Sequence, residues 1–252
     1  ALGSFDVKMK KRFVFFGGPS GDNCLYIAYD EAHKALFVLD SCAGRITEFG
    51  TDGTYRRTIT TGKFLKGCNY ISVSRDGGHF ATSNTDSNVV FLIDRNGTIS
   101  SSYATTRGNG EGQLNRPCGT AIDTAGGVYV CDSINGRVNY FSADFAYIKN
   151  YRIGPVSRTQ WPDIDISGNT ANKPFFAVSQ PEMKRIFFFM LNEDVFRYVD
   201  FSAAGLNDSF NPSALAGSEN NVYYVLDTVS GYIIKINIKE GAVNGNFMPG
   251  HR

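Results

Sequence analysis

Two short stretches interleave cations with aromatic rings: Lys63-Phe64-Leu65-Lys66, and Arg158 with Trp161. This pattern suits a polyanion that also carries flat rings, since cations neutralise phosphates while each aromatic–base stack contributes about 1–3 kcal/mol. Other residue types offer less. The histidines are only His33, His79 and His251, whereas a catalytic zinc needs about three convergent ligands. The five cysteines, Cys24, Cys42, Cys68, Cys118 and Cys131, are odd in number and form no CxxC pair. They argue against a disulfide framework or zinc ribbon and for a reducing, intracellular setting. Cys24, Cys68 and Cys118 fall near the starts of predicted strands, where cysteine is expected as a small buried hydrophobe. Gly108 to Gly112 alternates glycines, yet a phosphate cradle must open a helix, and here a strand-like run follows. No catalytic residue, metal ligand or cofactor is expected.

The elements that must position these residues follow from a repeat. Arg116-Pro117-Cys118-Gly119-Thr120-Ala121-Ile122-Asp123, the turn Gly126-Gly127, then Val128 to Asp132 and Arg137 to Phe141 read as strand, turn, strand, turn, strand. The pattern recurs over Leu25 to Phe49, Tyr70 to Ile93, Ile164 to Met190 and Ala214 to Ile238. Anchoring on the residue that ends each second strand gives Asp40, Ser83, Asp132, Gln180 and Asp227, about 47 residues apart. Four short strands per period with no helical pattern between them predict an all-β propeller of four-stranded blades. All of residues 1–252 form one domain in this reading, with 1–4 as a cloning remnant. An extra strand around Arg12 to Gly17 would close the ring.

The third copy carries a family resemblance. Gly108-Asn109-Gly110-Glu111-Gly112-Gln113-Leu114-Asn115-Arg116-Pro117-Cys118-Gly119, followed by the Asp132 to Arg137 turn, resembles the NHL repeat. The other copies are eroded: the first keeps Asp40 and Arg45, the fifth has Tyr232 where the arginine belongs, and in the second Ser83 and Asn88 replace both halves of the pair. Five repeats are countable, while NHL propellers commonly have six blades, so five and six both stand as expectations.

In a propeller, the loops joining second to third strands share a face with those joining one blade to the next. That face would collect Arg45, Lys63, Lys66, Arg107, Arg116, Arg137, Arg158, Lys184 and Arg185, with Phe64, Tyr70, Trp161 and Tyr232 among them. The opposite face would collect Asp30, Glu31, Asp52, Asp76, Asp94 and Asp144 among its acids. A net charge of only +1 excludes a globally basic nucleic-acid binder but permits such a split. No run of about 18 apolar residues exists to span a bilayer.

The resemblance to the propellers of TRIM-NHL regulators implies a cytoplasmic, monomeric domain that selects single-stranded RNA, U-rich elements of messenger 3′ untranslated regions being one option. Protein partners of an RNA-silencing complex would accompany it, and any ubiquitin-ligase activity would lie in upstream domains. The residues expected to touch RNA are Arg45, Lys63, Phe64, Lys66, Tyr70, Arg107, Arg116, Arg137, Arg158, Trp161, Lys184 and Arg185. The alternative is a platform that binds a peptide or regulatory protein on the same face. Asn96-Gly97-Thr98 and Asn207-Asp208-Ser209 satisfy the N-glycosylation triplet, which matters only in a secreted chain; chance occurrence is the expectation.

Overall fold

The computed structural model describes residues 25–154, 162–170, 173–191, 196–200, 210–217, 222–229 and 233–237. They form nineteen strands in five sheets, each ordered as its strands occur in the chain. The first sheet comprises β1 (Leu25–Asp30), β2 (Ala35–Asp40), β3 (Arg45–Gly50) and β4 (Tyr55–Thr60). The second comprises β5 (Asn69–Val73), β6 (His79–Asn84), β7 (Val89–Asp94) and β8 (Ile99–Ala104), and the third β9 (Pro117–Ile122), β10 (Val128–Asp132), β11 (Arg137–Phe141) and β12 (Tyr147–Arg152). The fourth comprises β13 (Ile164–Thr170), β14 (Lys173–Gln180), β15 (Arg185–Met190) and β16 (Phe196–Asp200). Three strands of the fifth are described, β17 (Pro212–Gly217), β18 (Val222–Asp227) and β19 (Ile233–Asn237). The fold is an all-β propeller of five blades. The predicted strand at Arg12 to Gly17 lies outside the described residues.

Burial explains the strand sequences. β9 and β10 are buried at every position, and β15 at all but its first, so none of them shows the apolar–polar alternation of a half-exposed strand. The outer β8 alternates between half-buried and exposed, which matches one wet face and one packed face. Two compact units result. One contains Leu2–Tyr129 and Tyr140–Ile148, the other Val130–Asn139 and Lys149–Arg252. The core of the first is built on Phe37, Leu39, Ile46, Leu65, Phe80 and Ile93, with Phe37 and Phe80 edge-to-face at 4.6 Å. The second centres on Phe175, Phe188, Tyr223 and Val225.

Hydroxyls join neighbouring blades within the first unit. Ser83 Oγ donates to the Cys118 carbonyl at 2.7 Å, Thr85 Oγ1 to that of Pro117 at 2.7 Å, and Thr120 Oγ1 to that of Ala81 at 3.1 Å. These side chains are buried, and each hydroxyl finds a carbonyl acceptor on the neighbouring blade, which is the condition for burying polar groups cheaply.

The turns between second and third strands share one construction. Asp40, Asn84, Gln180 and Asp227 each accept a backbone N–H two or three residues on: Ala43 at 2.9 Å, Ser87 at 2.9 Å, Glu182 at 3.0 Å and Val229 at 3.0 Å. Gly44, Asn88, Gly136 and Lys184 then take positive φ, between 53° and 71° in this set, before the next strand begins. The second repeat therefore differs from the sequence-based alignment by one residue. Its anchor is Asn84, which faces Val89 across the ladder as Asp40 faces Arg45. Ser83 was the better match by position alone, but its hydroxyl serves the seam to β9.

At the other ends of the first unit's strands the expected acidic surface is a mixed-charge clasp. Asp30, with a fully buried side chain, accepts from Arg95 Nη1 at 2.6 Å and pairs with His33 Nδ1 at 2.9 Å. Glu48 receives Arg95 Nη2 at 3.0 Å, Arg57 Nε at 2.7 Å and Arg56 Nη1 at 3.3 Å. Arg95 Nη1 also donates to the Gly77 carbonyl at 2.8 Å. Gly77 has φ +70°, and a Cβ there would stand 2.4 Å from His33 Nδ1 and 2.5 Å from Asp30 Oδ2, so the clasp closes only over glycine. Sorting charges by turn missed Arg56, Arg57 and Arg95 because they sit on strands or inside turns counted as acidic.

Candidate functional site

The connection from β4 to β5 is the most complete candidate. Gly62 and Gly67 bracket it with φ +67° and +73°, conformations that cost a residue with a side chain. Leu65 is fully buried and pins the middle. The Lys66 N–H donates to the Lys63 carbonyl at 3.2 Å, and the Cys68 N–H to that of Leu65 at 3.1 Å. Neighbouring turns hold it from both sides: the Gly67 N–H donates to the Ser41 carbonyl at 3.0 Å and Asn84 Nδ2 to that of Lys66 at 3.1 Å. The loop is thus fixed before any ligand arrives. It presents Phe64, 51% exposed, with one edge on Phe91 at 6.1 Å, between the exposed Lys63 and Lys66. Neither lysine has an ion pair among the described residues.

The other predicted contacts divide. Arg107 lies in the same unit as this loop, exposed, with Nη2 on the Asp86 carbonyl at 2.8 Å. Arg116 is half-buried with φ +60°; its N–H donates to Asn88 Oδ1 at 3.1 Å and its guanidinium approaches Asp86 at 3.7 Å. Arg45 is exposed and pairs with Asp40 at 3.2 Å. Tyr70 is not a free platform: with φ +62° it forms a bulge in β5, and its ring packs on Tyr26 at 5.5 Å. Arg137 is 7% exposed, with Nε on Asp132 at 2.8 Å, so its charge is engaged inside the protein rather than offered to a ligand. In the other unit, Lys184 has φ +53°, and Arg185 lies 4.4 Å over the Tyr198 ring. Arg158, Trp161 and Tyr232 lie outside the described residues.

The glycine-rich segment is a plug. Gln113 folds back so that Oε1 accepts the Gly110 N–H at 2.9 Å. A Cβ on Gly108 would meet that oxygen at 2.1 Å and one on Gly110 at 2.9 Å. At Gly112, φ is +70° and a Cβ would meet the Tyr103 hydroxyl at 2.9 Å. These glycines make room for side chains, and the strand that follows offers no helix N-terminus to an anion. Gly108→Ala is expected to expel the Gln113 amide and cost about 1 kcal/mol, one hydrogen bond. A thermal melt should move down by about 2–4 °C; an unchanged melt would show that Gln113 does not hold the loop.

The remaining reactive groups are engaged elsewhere. Cys68 and Cys118 are buried; Cys68 donates to the Phe64 carbonyl at 3.3 Å, and burial pushes its thiol up to about 11, far from a thiolate nucleophile. Cys42 is exposed on the β2–β3 turn and disulfide-bonded, a bridge that the odd, scattered cysteine count did not suggest. Burial pushes the Asp163 carboxyl up to about 7, against the N–H groups of Leu215 at 3.0 Å and Ile164 at 2.9 Å that donate to it. Among the described residues no three His, Cys, Asp or Glu side chains converge as metal ligands. No described helix is long and apolar enough to cross a membrane.

No family model matches the chain, and neither does any curated protein. Solved structures do. A streptogramin B lyase is 14% identical, with 86% of this chain and 70% of that one covered at a TM-score of 0.58. The virginiamycin B lyase of Staphylococcus aureus is 14% identical, covering 85% and 70% at 0.56. A protein of unknown function from Bacteroides caccae is 13% identical, covering 86% and 79% at 0.61. Likeness at these identities establishes the propeller architecture and leaves the ligand to be argued from the residues.

Proposed function

We propose that the chain is a recognition module rather than an enzyme, and that the Lys63–Lys66 loop takes single-stranded RNA. The observation that carries this reading is an exposed aromatic ring held between two exposed lysines that have no ion pair among the described residues. Phe64 would stack on one unpaired base, Lys63 and Lys66 would hold the flanking phosphates, and Arg107 would extend the basic track. Arg158 and Trp161 belong to the same proposal by their place in the repeat. The NHL-like wording of the third repeat supports it, and in that setting the domain works in the cytoplasm in post-transcriptional regulation, alongside protein partners of a silencing complex.

The test is fluorescence polarisation against labelled oligo-U, oligo-A, oligo-C and an RNA hairpin at two salt concentrations. Phe64→Ala should weaken binding by about 1–3 kcal/mol, roughly 5- to 150-fold, at either salt. Lys63→Ala with Lys66→Ala should flatten the salt dependence by about 1.4 in log–log slope. Binding that ignores Phe64 and disappears at about 150 mM salt would leave only nonspecific attraction.

A second reading has its own observation. The Cys42 disulfide belongs in an oxidising compartment, where the same loop would meet an acidic segment of a protein partner instead of RNA.

A further inference from the structure

The β7–β8 hairpin holds an asparagine with no structural task. Its turn resembles the β3–β4 turn, where Asp52 precedes the positive-φ Gly53 and accepts the Thr54 N–H at 2.9 Å and hydroxyl at 2.6 Å. It also resembles the β11–β12 turn, where Asp144 precedes Phe145 at φ +62° and binds the Ser142 hydroxyl. In the β7–β8 turn the capping has moved to Asp94, whose Oδ1 accepts both Asn96 N–H at 2.9 Å and Thr98 N–H at 2.8 Å. The left-handed position is Gly97, at +96°. Asn96 therefore neither caps the turn nor supplies its positive φ, and its side-chain amide makes no hydrogen bond among the described residues. The amides of Asn69, Asn84, Asn88 and Asn135, by contrast, are all bonded. Asn96 and Thr98 are both exposed, two residues apart with glycine between them.

We infer that Asn96 is the acceptor of an N-linked glycan. The inference rests on the second reading above, since the modification belongs to the same oxidising compartment as the Cys42 bridge. It concerns a different part of the surface: the β7–β8 turn lies at the opposite strand ends from the β6–β7 turn that adjoins the Lys63–Lys66 loop. The donor is a lipid-pyrophosphate-linked oligosaccharide presented by a transferase that reads the Asn-x-Thr triplet. Asn96 Nδ2 forms a bond to the anomeric carbon, the bond from that carbon to the pyrophosphate oxygen breaks, and the lipid pyrophosphate leaves with the electron pair. The amide nitrogen gives up one proton to a base.

The experiment directs the full chain into the secretory pathway of eukaryotic cells behind a cleavable leader, with Asn207→Gln in every sample so that only one triplet is read. Enzymatic removal of N-glycans should produce a single step in gel mobility. That step should vanish in Asn96→Gln and Thr98→Ala and persist in Thr98→Ser, which keeps the hydroxyl. A parent chain with no step, or a step surviving Asn96→Gln, overturns the inference. The compartment is tested separately by alkylating the protein from its own cells in denaturant before reduction, because Cys68, Cys118 and Cys131 are buried in the fold. Labelling of fewer than all five cysteines supports it; labelling of all five overturns the reading on which the inference stands, whatever the acceptor test gives.

Discussion

Arg95→Ala is expected to lower stability by about 3–5 kcal/mol, because it leaves two carboxylates without the cation that links them. Asp30 has no exposed side-chain surface and Glu48 only 6%. Burial pushes both carboxyls up, and the arginine hydrogen bonds, Arg95 on Asp30 and Arg57 and Arg56 on Glu48, outweigh it and hold both below the usual carboxylate range. Groups lowered on folding contribute stability that is in place above their unfolded values, near 4, and is lost as pH falls through the lowered folded values. Without Arg95, burial acts on Asp30 with only His33 opposing it, so the folded state gains affinity for a proton. The gap between parent and variant should thus be widest at neutral pH and shrink on acidification toward pH 4. Urea unfolding of both proteins at pH 7 and pH 4 measures this. A gap under about 1 kcal/mol, or one that widens in acid, would show that the clasp does not bind its two acids as a unit.

Asp132→Ala should be comparably damaging in the third blade. Its carboxylate, fully buried, accepts from Arg137 Nε at 2.8 Å and Asn135 Nδ2 at 2.7 Å. Removing it leaves Arg137, itself 9% exposed in its side chain, charged and unmatched by its acid, at about 3–5 kcal/mol. At roughly 2–4 °C per kcal/mol for a chain of this size, the melt should fall by about 6–20 °C. Adding Arg137→Ala should restore part of the loss, since the double replacement removes the stranded charge as well as its partner. The same comparison separates structure from recognition: Arg137→Ala should reduce stability, whereas Lys63→Ala should reduce RNA affinity and leave the melt within about 0.5 kcal/mol of the parent. If Arg137→Ala weakened binding at unchanged stability, its side chain would have to reach the ligand after all.

These two clusters show what the sequence could disclose. The repeat was visible because β-branched and aromatic runs alternate with turn residues at a fixed period, and the Asp132–Arg137 and Asp40–Arg45 pairs were visible because they recur in register. Residue type fixed neither their burial nor their role. Arg45 and Arg137 occupy the same place in the repeat, yet the side chain of one is 53% exposed and that of the other 9%, because burial depends on what neighbouring loops lay over the turn. The Arg95 clasp was invisible for a related reason: its partners are 65 and 47 residues away, and no local pattern joins them. Tyr70 misled because an aromatic residue beside a basic loop looks like a platform, while only backbone geometry reveals the bulge that turns its ring onto Tyr26. The Lys63–Lys66 loop was legible because everything it needs is local: two glycines, one buried leucine and an aromatic ring between cations.

The capped turns between second and third strands carry one more consequence. In four of them the residue after the anchor, Ser41, Thr85, Ser133 or Pro181, is buried, and the left-handed residue ends the turn. Between those fixed points stand Cys42-Ala43, Asp86-Ser87, Ile134-Asn135 and Glu182-Met183, four pairs with almost nothing in common. Turn geometry is set by the anchor and the left-handed residue, so, apart from Cys42 in its disulfide and Asn135 on Asp132, these positions can change with little disturbance to the sheets beneath. The propeller behaves as a frame with interchangeable facets, whose ligand can drift over evolutionary time, or be reassigned by design, while the blades stay as they are.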